Sequence, residues 1–227
     1  MAGDLHGATI AFDLDGTLVD TAPDLVGTLN VILSEEGLKA LPLAHARALI
    51  GHGARRLIER GFQAAGEPLE AARMDGLFDR FIARYRAHVA DESRPFPGCV
   101  AALQALRADG ARLAVCTNKP TSLSNALLQA LDMARLFDAV TGPDGAPAAK
   151  PDPRHLDAAV AAAGGRPDRA LMVGDAATDA GAARALGVPL ILVSFGYTET
   201  PAAELEPDVL IDHFDQLPAA ARRLLGA

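Results

Sequence analysis

Asp13 and Asp15 stand two residues apart at the end of the apolar run ATIAFDLD (8–15), and Gly16 and Thr17 follow at once. Strand side chains alternate faces, so residues i and i+2 point the same way. Two like charges placed so at a strand end need a reason. Other apolar runs end in polar groups of the same kind. RLAVCTN (112–118) closes on Thr117 and Asn118, and ALMVGD (170–175) closes on Gly174 and Asp175, with Asp179 four residues on. Lys150 lies in the loop AAKPDP before that last run. Brought together, these residues make a cluster of acids with one ammonium and short hydrogen-bonding side chains. Crowded carboxylates repel and take up protons unless a cation joins them. All-oxygen donors select a hard ion, and Mg²⁺, which commonly shares its shell with substrate phosphate, is the expected one. A carboxylate aimed at phosphorus can act as nucleophile. A second carboxylate two residues on can protonate the leaving oxygen and later activate water. Lys150 and backbone N–H groups near Thr117 can offset the charge of a phosphoryl group.

The elements that must position these residues are short apolar runs rich in β-branched residues: ATIAFDLD, RLAVCTN, ALMVGD and PLILVS (189–194), with weaker candidates at FDAVTG (137–142) and DVLID (208–212). Runs apolar on both faces suit a parallel sheet covered by helices. Helical patterns lie between them, at VAALQALRADG (100–110), TSLSNALLQALDM (121–133), HLDAAVAAAGG (155–165) and TDAGAARALG (178–187). Polar openings and glycines near the ends fit the start and stop rules for helices. Alternating strands and helices predict an α/β fold, a doubly wound, Rossmann-like parallel sheet. Ligands of such sheets gather at the carboxyl ends of the strands. From about Thr21 to Glu92 the alternation stops and only helical patterns appear, ending at SRPFPG (93–98), whose prolines read as a hinge-like linker. The expected division is a core of 1–19 and 93–227 with an all-helical module, 20–92, inserted after the first strand.

Composition bounds the partners. The 227 residues are half hydrophobic, enough for a sizeable core, and the formal net charge is -8. No run of Lys or Arg appears, which argues against nucleic acid and anionic membrane surfaces. Cys99 and Cys116 have no CxxC spacing, so a disulfide framework is not expected and a reducing cytoplasm is. MAGDLHGATIAFDLD lacks a basic start and its apolar run is cut by Asp13, so it does not read as a signal peptide. No stretch approaches the ~18 apolar residues of a membrane span.

DLDGT (13–17), TN (117–118), Lys150 and GDAATD (174–179), in this order and on these strand ends, resemble the four motifs of the haloacid dehalogenase-like hydrolase superfamily. The helical insert resembles its α-helical cap. DGTLVDT and CTNKP resemble the phosphoglycolate phosphatase branch. The resemblance implies a Mg²⁺-dependent phosphatase acting on a small phosphorylated metabolite, 2-phosphoglycolate first, as a monomer or homodimer. By it Asp13 is the nucleophile and Asp15 the general acid/base. Asp13, the Asp15 backbone carbonyl and Asp175 hold Mg²⁺, with Asp179 in support. Thr117 and Asn118 grip the phosphoryl oxygens, and Lys150 positions nucleophile and phosphate. True haloacid dehalogenases lack the second aspartate, so Asp15 favours phosphate over a haloacid. Ala176 departs from the serine usual at its position.

In the insert, GHGARR (51–56) puts His52, Arg55 and Arg56 at a helix start, where backbone donors and basic side chains can meet an anionic substrate. A plain helix–helix turn with solvated arginines explains it equally. No GxxxxGK[ST] occurs, and the glycine pair is no dinucleotide fingerprint. The rival functions are a phosphomutase of the β-phosphoglucomutase type and a pyrophosphatase or nucleotidase on the same scaffold. A non-catalytic binding module with a vestigial site is the rival of a different class.

Overall fold

The structure, a computed structural model, describes residues 5–51, 53–198 and 200–226. Strand β1 (Thr9–Phe12) sits inside a parallel sheet, flanked by β4 (Arg112–Cys116) on one side and β6 (Ala170–Gly174) on the other. The sheet continues outward to β5 (Ala139–Thr141) at one edge, and through β7 (Leu190–Val193) to β8 (Val209–Ile211) at the other. The order β5-β4-β1-β6-β7-β8 is that of a doubly wound sheet, as the alternating pattern predicts. The three strands that carry the polar ends, β1, β4 and β6, are therefore neighbours.

Alternation along β1 divides the core. Ile10 and Phe12 join an apolar layer with α5 (Cys99–Ala108), α6 (Thr121–Ala130) and α9 (Leu217–Leu225). Ala11 faces the opposite layer, where α7 (Pro153–Ala162) and α8 (Ala177–Leu186) pack. Helix α9 has no counterpart among the expected elements. Its register of Leu217, Ala220 and Ala221 buries one face.

Strand β1 is shorter than its apolar run. The Asp13 N–H still donates to Val173 O at 2.9 Å, but the ladder ends there and Gly16, at φ +84°, turns the chain. Val19 and Asp20 then form β2, which pairs antiparallel with β3 (Arg94–Pro95). This two-stranded ribbon falls where a proline-bearing linker was expected, and it carries the chain out and back. Strands of two residues are too short to show a period.

Between β2 and β3 lie α1 (Ala22–Glu35), the single turn α2 (Leu43–Ala46), α3 (Ala54–Ala64) and α4 (Met74–Ala87). They share an apolar cluster of Leu29, Ile32, Phe62 and Phe81, which the core meets through Leu123 and Tyr197. Arg80 ion-pairs with Glu35 and Glu36, tying α4 to the end of α1. No helix among the described residues is long and apolar enough to cross a membrane.

Candidate active site

Three carboxylates meet at the carboxyl end of the sheet. Asp13 leaves β1, Asp175 leaves β6, and Asp179 comes from the first turn of α8; each offers an oxygen within 4.8 Å of the others, and all three are buried. Lys150 enters from the loop after β5, its Nζ 3.0 Å from Asp13 Oδ1 and 2.6 Å from Asp179 Oδ1. One ammonium thus faces two of the three acids.

Local backbone holds each acid. Asp13 Oδ1 accepts the Leu14 N–H at 2.7 Å. Asp175 receives the Thr17 hydroxyl at 2.8 Å and the Tyr197 N–H at 2.7 Å, one on each oxygen. Asp179 Oδ2 accepts the N–H groups of Asp175 and Ala176, closing the start of α8 onto the strand end. The chain can come this close to Asp175 because Gly16 and Gly196 lack side chains. A Cβ on Gly16 would stand 2.5 Å from Asp175 Oδ2, and one on Gly196 2.2 Å from Asp175 Cβ.

The charge balance asks for a cation. Burial raises the Asp13 carboxyl from 3.8 to about 6, with Asp179 and Asp15 adding to the rise and Lys150 opposing it. Burial, then Asp179 and Asp13, push Asp175 well above its ordinary value. Lys150 keeps its proton. Burial works against its charge, but Asp13 and Asp179 outweigh burial and raise it. A buried set of carboxylate oxygens with surplus negative charge fits a hard divalent ion.

Asp15 takes a different partner from Asp13. Its two oxygens lie 2.8 and 2.9 Å from the Lys119 ammonium, which is 6% exposed. Burial again works against the Lys119 charge, and Asp15 together with Tyr85 raises it on balance. The two aspartates share a strand end without sharing a partner, because the turn at Gly16 begins between them and the insert. Lys119 is a site residue that sequence reasoning missed. The available signal was its rarity, since Lys39, Lys119 and Lys150 are the chain's three lysines.

Asn118 is placed in the site, but its side chain is already spent. Asn118 Oδ1 accepts the Lys150 N–H at 3.0 Å and its Nδ2 donates to Lys150 O at 3.1 Å. The Asn118 side chain thus braces the Lys150 backbone. His155 Nδ1 shares the same N–H at 3.1 Å, so its Nε2 carries the proton and donates to Thr141 O at 3.2 Å. Burial, then Lys150, lowers the His155 pKa, consistent with a neutral ring. The Thr117 hydroxyl accepts the Lys119 N–H at 3.2 Å.

Asp13, Asp15, Thr117, Asn118 and Lys119 form the floor of a cavity of about 40 Å³, room for the centres of about three waters. Its roof comes from the helical insert, including Gly51, Gly53, Phe81 and Tyr85. Gly53, at φ +84°, brings the start of α3 over the Asn118 carbonyl. His52 lies outside the described residues. The structure does not bring Arg55 to the cavity: its guanidinium pairs with the Asp75 carboxylate at 2.8 Å on the outer face and stacks over Phe78. Arg56 pairs with Glu59, also exposed. Both arginines of GHGARR thus pair with acids at exposed positions of the insert. Cys116 is buried strand filler, its thiol pushed up to about 12 by burial.

The haloacid dehalogenase-like hydrolase family model matches residues 8–187. The curated phosphoglycolate phosphatase of Caulobacter vibrioides is 58% identical over 98% of this chain and 94% of its own length. A crystal structure described as a predicted phosphoglycolate phosphatase from Haemophilus somnus superposes with a TM-score of 0.86 at 30% identity, covering 95% of this chain and 98% of that one. The structure of CbbY from Rhodobacter sphaeroides in complex with phosphate superposes at 0.78 with 25% identity, over 96% of this chain and 99% of that one.

Proposed function

The chain belongs to the haloacid dehalogenase-like hydrolases, and from that premise we propose that it is a phosphatase of phosphoglycolate working through an aspartyl phosphate on Asp13. The observation that carries the reading is the cluster itself: three buried carboxylates within 4.8 Å of one another, one ammonium among them, and a second aspartate two residues beyond the first. The substrate comes from similarity to phosphoglycolate phosphatases over nearly the whole chain.

In this reading an Asp13 carboxylate oxygen attacks phosphorus, and the bond from phosphorus to the glycolate oxygen breaks. Asp15 gives its proton to that departing oxygen. A water then attacks phosphorus, Asp15 takes its proton, and the Asp13 carboxylate leaves inorganic phosphate behind. Lys150 stays charged throughout and faces the phosphoryl oxygens, with main-chain N–H groups after β4 completing the cradle. Mg²⁺ held by Asp13, the Asp15 carbonyl and Asp175, with Asp179 in support, supplies neutralisation of the phosphoryl charge when bound. Residues 20–92 act as a cap over a core of 1–19 and 93–227, excluding water while the aspartyl phosphate forms.

Phosphate release from phosphoglycolate in the presence of Mg²⁺ tests the reading. Asp13→Asn should abolish it in a protein that still folds, and a retained rate overturns the nucleophile. A hexose phosphate returned as its isomer, with no free phosphate, would instead point to a mutase.

A further inference from the structure

One polar atom in the cavity wall has no part in the phosphoryl chemistry. The Tyr85 hydroxyl, on α4 of the insert, is buried without a hydrogen-bond partner, and the residue is 1% exposed. A buried hydroxyl in this state is costly unless something in the occupied site satisfies it. Lys119 Nζ lies beneath the same ring, 4.6 Å from its centroid. The wall around the two is apolar, with Leu25, Leu57, Phe81 and Leu123. A buried ammonium needs a counter-charge at all times, and here it has a carboxylate, Asp15, engaged through both oxygens. The pocket that accepts the Asp15 carboxylate has the donors and the shape for another one.

We infer that Lys119 and Tyr85 form the subsite for the carboxylate of the substrate, Lys119 exchanging Asp15 for that carboxylate while the Tyr85 hydroxyl donates to it. The inference rests on the phosphoglycolate reading and divides the lysines, Lys150 serving the phosphate and Lys119 the carboxylate. An ester that brings its own carboxylate can make this exchange, and an ester without one leaves Lys119 on Asp15. Selectivity of this kind appears in kcat as well as in KM.

The test compares kcat/KM for phosphoglycolate and for ethyl phosphate, which has no carboxylate, in the full chain with Mg²⁺. Wild type should prefer phosphoglycolate strongly. Lys119→Met should shrink that preference on the order of 100-fold and Tyr85→Phe on the order of 10-fold, chiefly through loss of the phosphoglycolate rate. Tyr85→Phe keeps the ring, so it reports even where Lys119→Met does not fold. Equal losses on both substrates, or an unchanged preference in either variant, overturn that residue's part in the subsite. A wild type that hydrolyses other esters but not phosphoglycolate overturns the substrate reading instead.

Discussion

Lys150 Nζ lies 3.0 Å from Asp13 Oδ1, with both residues buried, so the proposed nucleophile is held by the residue proposed to balance the phosphoryl charge. The same ammonium is 2.6 Å from Asp179. Lys150→Met leaves three buried acids with no resident cation. Activity should fall on the order of 10²–10³-fold, the scale for losing one preorganised charge-stabilising donor. The metal-free variant should also melt lower than metal-free wild type, and Mg²⁺ should recover part of the difference. Steady-state kinetics and a thermal melt read the two effects; a variant with normal kcat would remove Lys150 from the chemistry.

Asp13 and Asp175 predict how pH and Mg²⁺ act together. The folded-state value of Asp13 rises from 3.8 to about 6, and that of Asp175 rises too. A carboxyl raised on folding contributes stability below its unfolded value, and that contribution is lost as pH climbs through the folded value. Metal-free protein should therefore lose the Asp13 contribution between roughly pH 4 and 6, and Mg²⁺ should raise the melting temperature more at about pH 7.5 than at about pH 5. Metal-free Asp13→Asn should melt above metal-free wild type at the higher pH, with the gap closing at the lower. A Mg²⁺ effect that is equal at both pH values would contradict the linkage.

Asn118 tests whether position alone matters. Its amide closes two hydrogen bonds with the Lys150 backbone and touches neither acid. Asn118→Ala frees that loop, and a displacement of about 1 Å at a reacting group can cost on the order of 10²-fold in rate. The expected result is a lowered kcat with the Mg²⁺ requirement intact. Wild-type turnover would show that His155 alone suffices to hold Lys150.

The sheet and the acid cluster were legible because both rest on short-range patterns. Period and composition mark β1, β4 and β6, and a polar residue after each marks the end where ligands gather. What stayed hidden depends on contacts far apart in sequence. Arg55 faces Asp75 rather than the cavity, and nothing in GHGARR tells which side of α3 the guanidinium takes. Lys119 follows Asn118 directly, yet its partner is Asp15, 104 residues away. The extent of β1 was overread because Asp13–Asp15 keep strand spacing while Gly16 already turns the chain.

Ala176 is the N-cap of α8, with extended backbone at φ −126° and ψ 167° and no side-chain acceptor. Asp179 covers the Ala176 N–H from the third helical position, so half of a capping box is present. Ala176→Ser would add the missing hydroxyl and should stabilise the protein by about 0.5–1 kcal/mol. That corresponds to roughly 1–4 °C in melting temperature for a chain of this size. The gain should be the same with and without Mg²⁺; a gain seen only with the metal would mean the hydroxyl acts at the ion rather than at the helix end.

Asp24 joins the two passages between core and insert. Helix α1 carries it just after the chain enters the insert, and its carboxylate accepts the Ser93 N–H at 2.8 Å, the Ser93 hydroxyl at 2.6 Å and the Glu92 N–H at 3.0 Å where the chain returns. The group is buried, so its loss leaves two main-chain donors and a hydroxyl without a partner. Asp24→Ala should destabilise the protein by about 2–4 kcal/mol, since unsatisfied buried donors are costly and these face a charged acceptor. The loosening should concentrate at the return segment, because β3 pairs with only the two residues of β2. Limited proteolysis should then cut near residues 88–95 before any other site, while Asp24→Asn, which keeps one acceptor oxygen, should fall between the variant and wild type. Uniform cleavage in Asp24→Ala, with no early product from this segment, would show that β2, β3 and the apolar contacts of α1 fix the crossing without it.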